Sequence, residues 1–303
     1  MHRPSPAPTG LVPILATPFT SDGRLDLPSL RSLVEFQIRC GVDGLAVFGM
    51  ASEGFALTRA ERSVILREVR TIVGPDLPLV AGVNATSTVT AVELAAEAVE
   101  SGADHLMVLP PYLTVPSSQQ IPEFFADVAA EAGAPIMVQD APGVTGVSIA
   151  VEQIVKLATV PEIASVKVEA PPTPVKIADV AAAAPEDFAV LGGQNAQDLI
   201  EEYDNGAVGT MPACEFSDHL RVILDDLAAG RRADARAGFA RLQPLIRLGV
   251  RPGQAWAVHK EVLLRRGIIN SARVRLPARP LDSVTRTALD EVLAELAMFP
   301  QKR

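Results

Sequence analysis

Eight short apolar runs, each followed by an amphipathic stretch, fill the first two thirds of the chain, and this alternation limits the folds open to it. The runs are "LVPILATPF" from Leu11, "GLAVFG" from Gly44, "PLVAGVN" from Pro78, "HLMVLPP" from His105, "PIMVQD" from Pro135, "IASVKVE" from Ile163, "FAVLGG" from Phe188 and "AVGTMP" from Ala207. Strands of a parallel sheet buried on both faces read this way, apolar almost throughout rather than alternating. The intervening stretches, such as "RAERSVILREVRTIVG" and "TAVELAAEAVESGA", carry apolar residues at helical spacing. Thr58 opens a capping box in "TRAE", and Gly41, Gly74 and Gly102 fall where helices should stop.

Eight strand–helix units of roughly 25–30 residues predict an α/β fold, a (β/α)8 TIM barrel. A doubly wound open sheet is the other arrangement, but no G-x-G-x-x-G fingerprint follows the first run. After Ala213 only helical patterns remain. "FSDHLRVILDDLAAG" closes the barrel, and three more helices from Arg231 make a C-terminal helical domain, the last preceded by the proline-rich "RVRLPARPLD". The expected organisation is a loose tail over residues 1–10, a catalytic barrel over 11–230 and a helical domain over 231–303.

Bulk properties exclude several functions. The 303 residues are 48% hydrophobic, enough for one large core. A net charge of −9, with 4% aromatics and no long basic block, argues against nucleic acid and against an anionic membrane surface. No apolar run reaches the ~18 residues of a membrane span, and "MHRPSPAPTG" has no apolar h-region. Cys40 and Cys214 stand far apart, in no C-x-x-C pattern, which fits a reducing compartment. The expected setting is cytoplasmic.

Catalytic groups of such a barrel sit at the C-terminal ends of its strands. In "IASVKVE" side chains alternate, so Ser165, Lys167 and Glu169 share one face and Val166 and Val168 the other. The valines suit the helix-facing side; Lys167 and Glu169 then point into the lumen. Only five of the 27 basic residues are lysines, so a lysine inside a strand is not incidental. Desolvation there disfavours the ammonium, and the free amine can attack a ketone to give a Schiff base. Glu169 is within reach as the acid/base partner. The plainer alternative is a structural ion pair at the barrel rim. Metal-assisted chemistry lacks support, because His2, His105, His219 and His259 show no ligand spacing. A serine-triad hydrolase lacks a G-x-S-x-G.

Several motifs resemble the superfamily of dihydrodipicolinate synthase and N-acetylneuraminate lyase. They are "PILATPFTSDGRLDLPSLRSLVEFQIRCGVDGLAVFG" from Pro13, "LTRAER" from Leu57, "GADHLMVLPPY" from Gly102, the strand-six lysine and "GAVGTMP" from Gly206. The resemblance spans nearly the whole chain. It implies a barrel with a C-terminal helical domain, a homo-oligomer (dimer or tetramer), a small 2-keto acid as substrate, no metal or organic cofactor, and Lys167 as the Schiff-base lysine. Departures are informative. The family's hydroxyl-bearing carboxylate loop is here Gly49-Met50-Ala51-Ser52-Glu53; its interface tyrosine is Leu113; its catalytic tyrosine is Gln139; its second-carboxylate arginine is Val144. "IMVQDAP" and the x-Glu-x-Pro-like stretch after Lys167 are similar to the 2-keto-3-deoxy-L-arabinonate dehydratases.

The expected catalytic residues are therefore Lys167, Glu169 and Gln139, and the expected substrate contacts Ala51, Ser52, Tyr112, Asp140, Gly193 and Val208. Each has a plainer reading. Ser52 can cap the backbone, Asp140 can organise a turn, Tyr112 can simply pack, and Glu53 can brace its loop. Gly192 and Gly193 read as room for substrate to approach the backbone. Trp256 reads as packing among the C-terminal helices. The expected activity is a Schiff-base lyase on a 2-keto-3-deoxy sugar acid, dehydratase rather than aldolase, because the tyrosine proton relay is missing. Its rivals are a pyruvate-releasing aldolase and a silent keto-acid binding protein.

Overall fold

The computed structural model describes residues 7–298. Residues 1–6, with His2 and most of the expected tail, and residues 299–303 lie outside it. Eight strands are present: β1 Gly10–Leu11, β2 Leu45–Val47, β3 Leu79–Val83, β4 His105–Val108, β5 Ile136–Asp140, β6 Ile163–Val168, β7 Ala189–Gly192 and β8 Gly209–Thr210. The barrel-side helices are α1 Leu27–Arg39, α2 Arg59–Val73, α3 Thr88–Glu100, α4 Gln120–Glu131, α5 Pro142–Thr145, α6 Val151–Leu157, α7 Thr173–Ala183, α8 Leu199–Asp204 and α9 Ser217–Ala228. Three more follow: α10 Arg232–Leu248, α11 Ala255–Arg265 and α12 Ser283–Glu295.

All strand pairs are parallel, in the order β1-β8-β7-β6-β5-β4-β3-β2. The ring closes where the Ala46 N–H donates to the Pro13 carbonyl (3.0 Å) and the Leu15 N–H to the Ala46 carbonyl (2.8 Å). This is a (β/α)8 TIM barrel followed by further helices. The first apolar run forms less ladder than its length predicts, because Pro13 and Pro18 have no N–H to give. The ladder begins at Gly10, inside the expected tail.

Local chemistry sets the helix ends. The Asp26 carboxylate accepts from the Ser29 N–H (3.1 Å) at the head of α1. At α2 the capping box is complete: Thr58 Oγ1 accepts from the Glu61 N–H (3.2 Å), and Glu61 Oε2 accepts from the Thr58 N–H (3.0 Å). Gly74 and Gly102 end α2 and α3 at φ +68° and +106°, where a side chain would be strained.

Alternation divides the core in two. One set of strand residues (among them Ile14, Val80, Met107, Met137, Leu191 and Met211) fills the lumen. The other set packs outward on the helices. The lower lumen is therefore largely apolar, and Lys167, Gln139 and Glu169 stand above it at the mouth. No helix among the described residues is long and apolar enough to cross a membrane.

One buried carboxylate lies behind this framework. Glu202 on α8 is fully buried; Thr173 Oγ1 donates to its Oε1 (2.6 Å), and its Oε2 has no partner. Burial pushes it up from 4.5 to about 7. Between those pH values the folded chain keeps a proton that the unfolded chain has released, so this contribution to stability is lost as pH rises through about 7. Glu202→Gln should therefore be the more stable protein at pH 8, by up to about 3 kcal/mol, and close to wild type at pH 4.5. Urea unfolding at the two pH values checks this; an equal effect at both rejects it.

Candidate active site

Period-two alternation brings the mouth residues together. Lys167 on β6 lies opposite Gln139 on β5 and is 3% exposed. Its Nζ is 3.2 Å from Glu169 Oε1, just past the end of β6. Gln139 Nε2 donates to the other carboxylate oxygen (2.7 Å), and Gln139 Oε1 is buried without a partner. The Gln194 N–H also donates to Glu169 Oε1 (3.3 Å), while its Nε2 donates to the Glu169 backbone carbonyl (2.5 Å). Glu169 is thus fixed from three sides, next to the amine.

The segment after β7 makes that fixation possible. Gln194, Asn195 and Ala196 all have positive φ (49°, 57° and 61°), a costly run for residues with a Cβ. Asn195 holds it: its Oδ1 accepts from the Ala213 N–H (2.9 Å) and its Nδ2 donates to the Ile246 carbonyl (3.4 Å). The strained turn aims the Gln194 N–H at Glu169.

Above Lys167 and Glu169 opens a cavity of about 490 Å³. Its walls include Ile14, Met50, Ala51, Val144 and Met211 from the barrel, with Arg251, Trp256 and His259 from the loop before α11 and from α11 itself. That volume is the usual size for a small-molecule site. Trp256 is seated by its Nε1–H, which donates to the Met50 carbonyl (2.6 Å), and by edge-to-face contact with Phe55 at 5.0 Å. Met50–Ser52 is a single 3-10 turn. The N–H groups of Met50 and Ala51 open that turn, so they have no acceptor within it.

Of the expected substrate contacts, the structure brings Ala51 to the cavity wall. It places the others elsewhere. Ser52 is buried and braces the loop, its hydroxyl donating to the Leu15 carbonyl (2.5 Å) while its own carbonyl accepts from Thr17 Oγ1 (2.6 Å). Asp140 is one residue beyond Gln139 and so faces the helices. There it pairs with Lys176 Nζ at 2.6 Å, and burial raises its carboxyl above the ordinary value despite that partner. Val208 has the wrong parity on β8. It is half-exposed, and Met211 provides that strand's wall instead. Tyr112 lies exposed on the loop after β4, off the cavity. Gly193 makes room for Glu169 rather than for substrate, since a Cβ there would stand 2.3 Å from Glu169 Cγ. Gly192 does the same for Glu202. Glu53 does brace its loop, in a buried pair with Lys260. Among the described residues no three His, Cys, Asp or Glu side chains converge as a metal site.

A lysine beside a carboxylate in the mouth of a closed parallel barrel, under a cavity of this size, is an arrangement suited to imine chemistry on a small carbonyl compound. Residues 7–296 match the model of the dihydrodipicolinate synthetase family. The L-2-keto-3-deoxyarabonate dehydratase of Azospirillum brasilense is 33% identical over 94% of this chain and 93% of its own. The 4-hydroxy-tetrahydrodipicolinate synthase 1 of Streptomyces coelicolor is 32% identical over 93% and 92%. Among solved structures, dihydrodipicolinate synthase from Thermotoga maritima superposes with a TM-score of 0.90 at 25% identity, covering 96% of this chain and 99% of that one. YagE from E. coli K12, solved with pyruvate, gives 0.88 at 26% identity, covering 96% and 99%. The chain belongs to the dihydrodipicolinate synthetase family and is a lyase of that family.

Proposed function

We propose that the chain dehydrates a 2-keto-3-deoxy sugar acid through a Schiff base on Lys167. The observation that carries this is the buried cluster Lys167–Glu169–Gln139 at the cavity floor. The Lys167 amine adds to the C2 ketone and water leaves, giving a cationic imine. Glu169, 3.2 Å from the amine, takes the ammonium proton, passes it to the carbinolamine hydroxyl that leaves as water, and then takes a C3 proton. Loss of that proton gives an enamine, whose electrons expel the C4 hydroxyl. Hydrolysis then returns Lys167 and the unsaturated keto acid. No step draws on a metal or an organic cofactor. The N–H groups of Met50 and Ala51, at the start of the turn, take the substrate carboxylate in this reading, since positions 50 and 51 carry no hydroxyl and that of Ser52 is given to the Leu15 carbonyl.

Dehydration is favoured over aldol cleavage by what occupies the tyrosine position. Gln139 orients Glu169 but has no acidic proton to relay. Tyr203, on α8, is partly buried and does not line the cavity, and Tyr112 is outside it. The relative named as a dehydratase supports the same reading, whereas those named as synthases do not share its product class. Borohydride trapping with pyruvate and a panel of 2-keto-3-deoxy acids, read by peptide mass, tests the Schiff base. Product analysis tests the outcome: one unsaturated keto acid supports dehydration, and pyruvate plus an aldehyde replaces it with the aldolase. Absence of any adduct from folded protein turns the assignment to a silent binding protein.

The same reading includes a homo-oligomer. Tyr112, Leu113 and Val115 are 40%, 79% and 63% exposed on one loop between β4 and α4, an apolar group that a second copy can cover. Leu113→Asp should shift sedimentation at micromolar concentration toward the monomer. A wild-type protein that sediments as a monomer rejects this contact.

A further inference from the structure

The cavity contains a second ionisable pair that the Schiff-base cluster does not use. His259 on α11 lines the cavity, and its Nδ1 is 2.7 Å from Oε1 of Glu215, a carboxylate with no exposed surface. A carboxylate at one ring nitrogen fixes the tautomer and ring orientation, leaving the other nitrogen for chemistry. Here Nε2 makes no hydrogen bond among the described residues. The ring is further confined by Gly249, where a Cβ would stand 3.0 Å from His259 Cε1.

α11 is built to deliver that ring. Trp256, His259 and Lys260 follow at i, i+3 and i+4, so one helical face carries all three. Trp256 is tied to the Met50 carbonyl and Lys260 to Glu53, both on the loop after β2. His259, between them, is held over the cavity that has Lys167 and Glu169 at its floor. One acid/base group is then at the floor and another in the wall.

We propose that His259, positioned by Glu215, is the general acid that protonates the leaving hydroxyl. This rests on the dehydratase reading above. Glu169 takes the C3 proton; the enamine electrons form the C3–C4 double bond; the C4–O bond breaks; and the imidazolium form of His259, whose Nδ1–H stays on the Glu215 carboxylate, gives its Nε2 proton to the departing oxygen, so that water leaves. The two side chains return to their starting protonation by exchange with solvent as product departs. No oxidant or reductant is involved. The division of labour supplies a proton donor where Gln139 replaces the tyrosine.

The test compares wild type with His259→Gln and Glu215→Gln, using 2-keto-3-deoxy-L-arabonate and its 4-fluoro analogue, whose leaving fluoride takes no proton. Borohydride trapping of pyruvate on Lys167 reports separately on the Schiff base and on folding at the site. The expected result is about a 10²–10⁴-fold loss in kcat for the hydroxyl substrate, the range for a general acid. Fluoride release and pyruvate trapping should stay near wild type in both variants. Equal losses with both substrates mean a structural role and overturn the proposal. So does an unchanged kcat with the hydroxyl substrate, or a wild type that traps pyruvate but dehydrates neither compound. Failure of the wild type to trap pyruvate overturns the Schiff-base reading itself.

Discussion

Lys167→Ala is expected to lose turnover by on the order of 10⁶-fold, the scale of removing a covalent nucleophile. The borohydride adduct should vanish with it. The fold should survive, because Glu169 keeps its hydrogen bonds from Gln139 Nε2 and the Gln194 N–H when the lysine is gone. Lys167→Arg separates chemistry from charge. A guanidinium stays protonated and cannot form an imine, yet it can still pair with Glu169. If the pair were only structural, the arginine variant would keep most of the activity and the alanine variant would mainly lose stability. On the Schiff-base reading both are inactive while both remain folded. Rates from the two variants, beside their urea unfolding curves, decide between these. Activity within tenfold of wild type in either one rejects covalent catalysis by Lys167.

The juxtaposition of Lys167 and Glu169 was readable because a strand has period two, and two residues apart means one face. The same rule separates Gln139 from Asp140 and Met211 from Val208. By that parity Asp140 and Val208 face outward, while Gln139 and Met211 reach the lumen face. Ser52 was harder to place, since it sits in a 3-10 turn whose side-chain directions depend on backbone angles that no spacing rule gives. Glycines showed the limit of a local reading. Gly193 does need to lack a Cβ, but the atom it accommodates, Glu169 Cγ, lies 24 residues away in sequence. The wall formed by Trp256 and His259 had one usable signal, the i, i+3 spacing on α11. That this face meets the barrel mouth follows from packing of α11 on the Met50–Ser52 turn. The partner Glu215 comes from the segment after β8. The eight-unit alternation made the barrel legible because it is a repeated local pattern. The cavity was only half legible because its upper wall is not.

The largest stability effect is expected at the pair that fastens this wall. Lys260 and Glu53 have no exposed surface and form an ion pair. Lys260 Nζ also donates to the Arg273 carbonyl (2.8 Å) and lies 4.0 Å from the Phe19 ring centroid; Glu53 Oε2 accepts from the Arg275 N–H (2.9 Å). Burial pulls Lys260 down to about 8 even though the Glu53 charge pulls the other way, so the ammonium is costly here without its partner's help. Removing one member leaves a buried charge uncompensated, which costs about 3–5 kcal/mol. Lys260→Met should lose that much in urea unfolding. Lys260→Met with Glu53→Gln should lose clearly less than the two single changes added together, because the double variant buries no charge at this position. Gln at position 53 can still accept from the Arg275 N–H. The pair also joins α11 to the loop carrying Met50 and Ala51, so Lys260→Met should raise KM for the keto acid while Lys167 still traps pyruvate. A loss below about 1 kcal/mol would place the pair among those worth no more than an exposed one. The seating of Trp256 and His259 would then rest on the Trp256–Met50 and His259–Glu215 hydrogen bonds and on apolar packing.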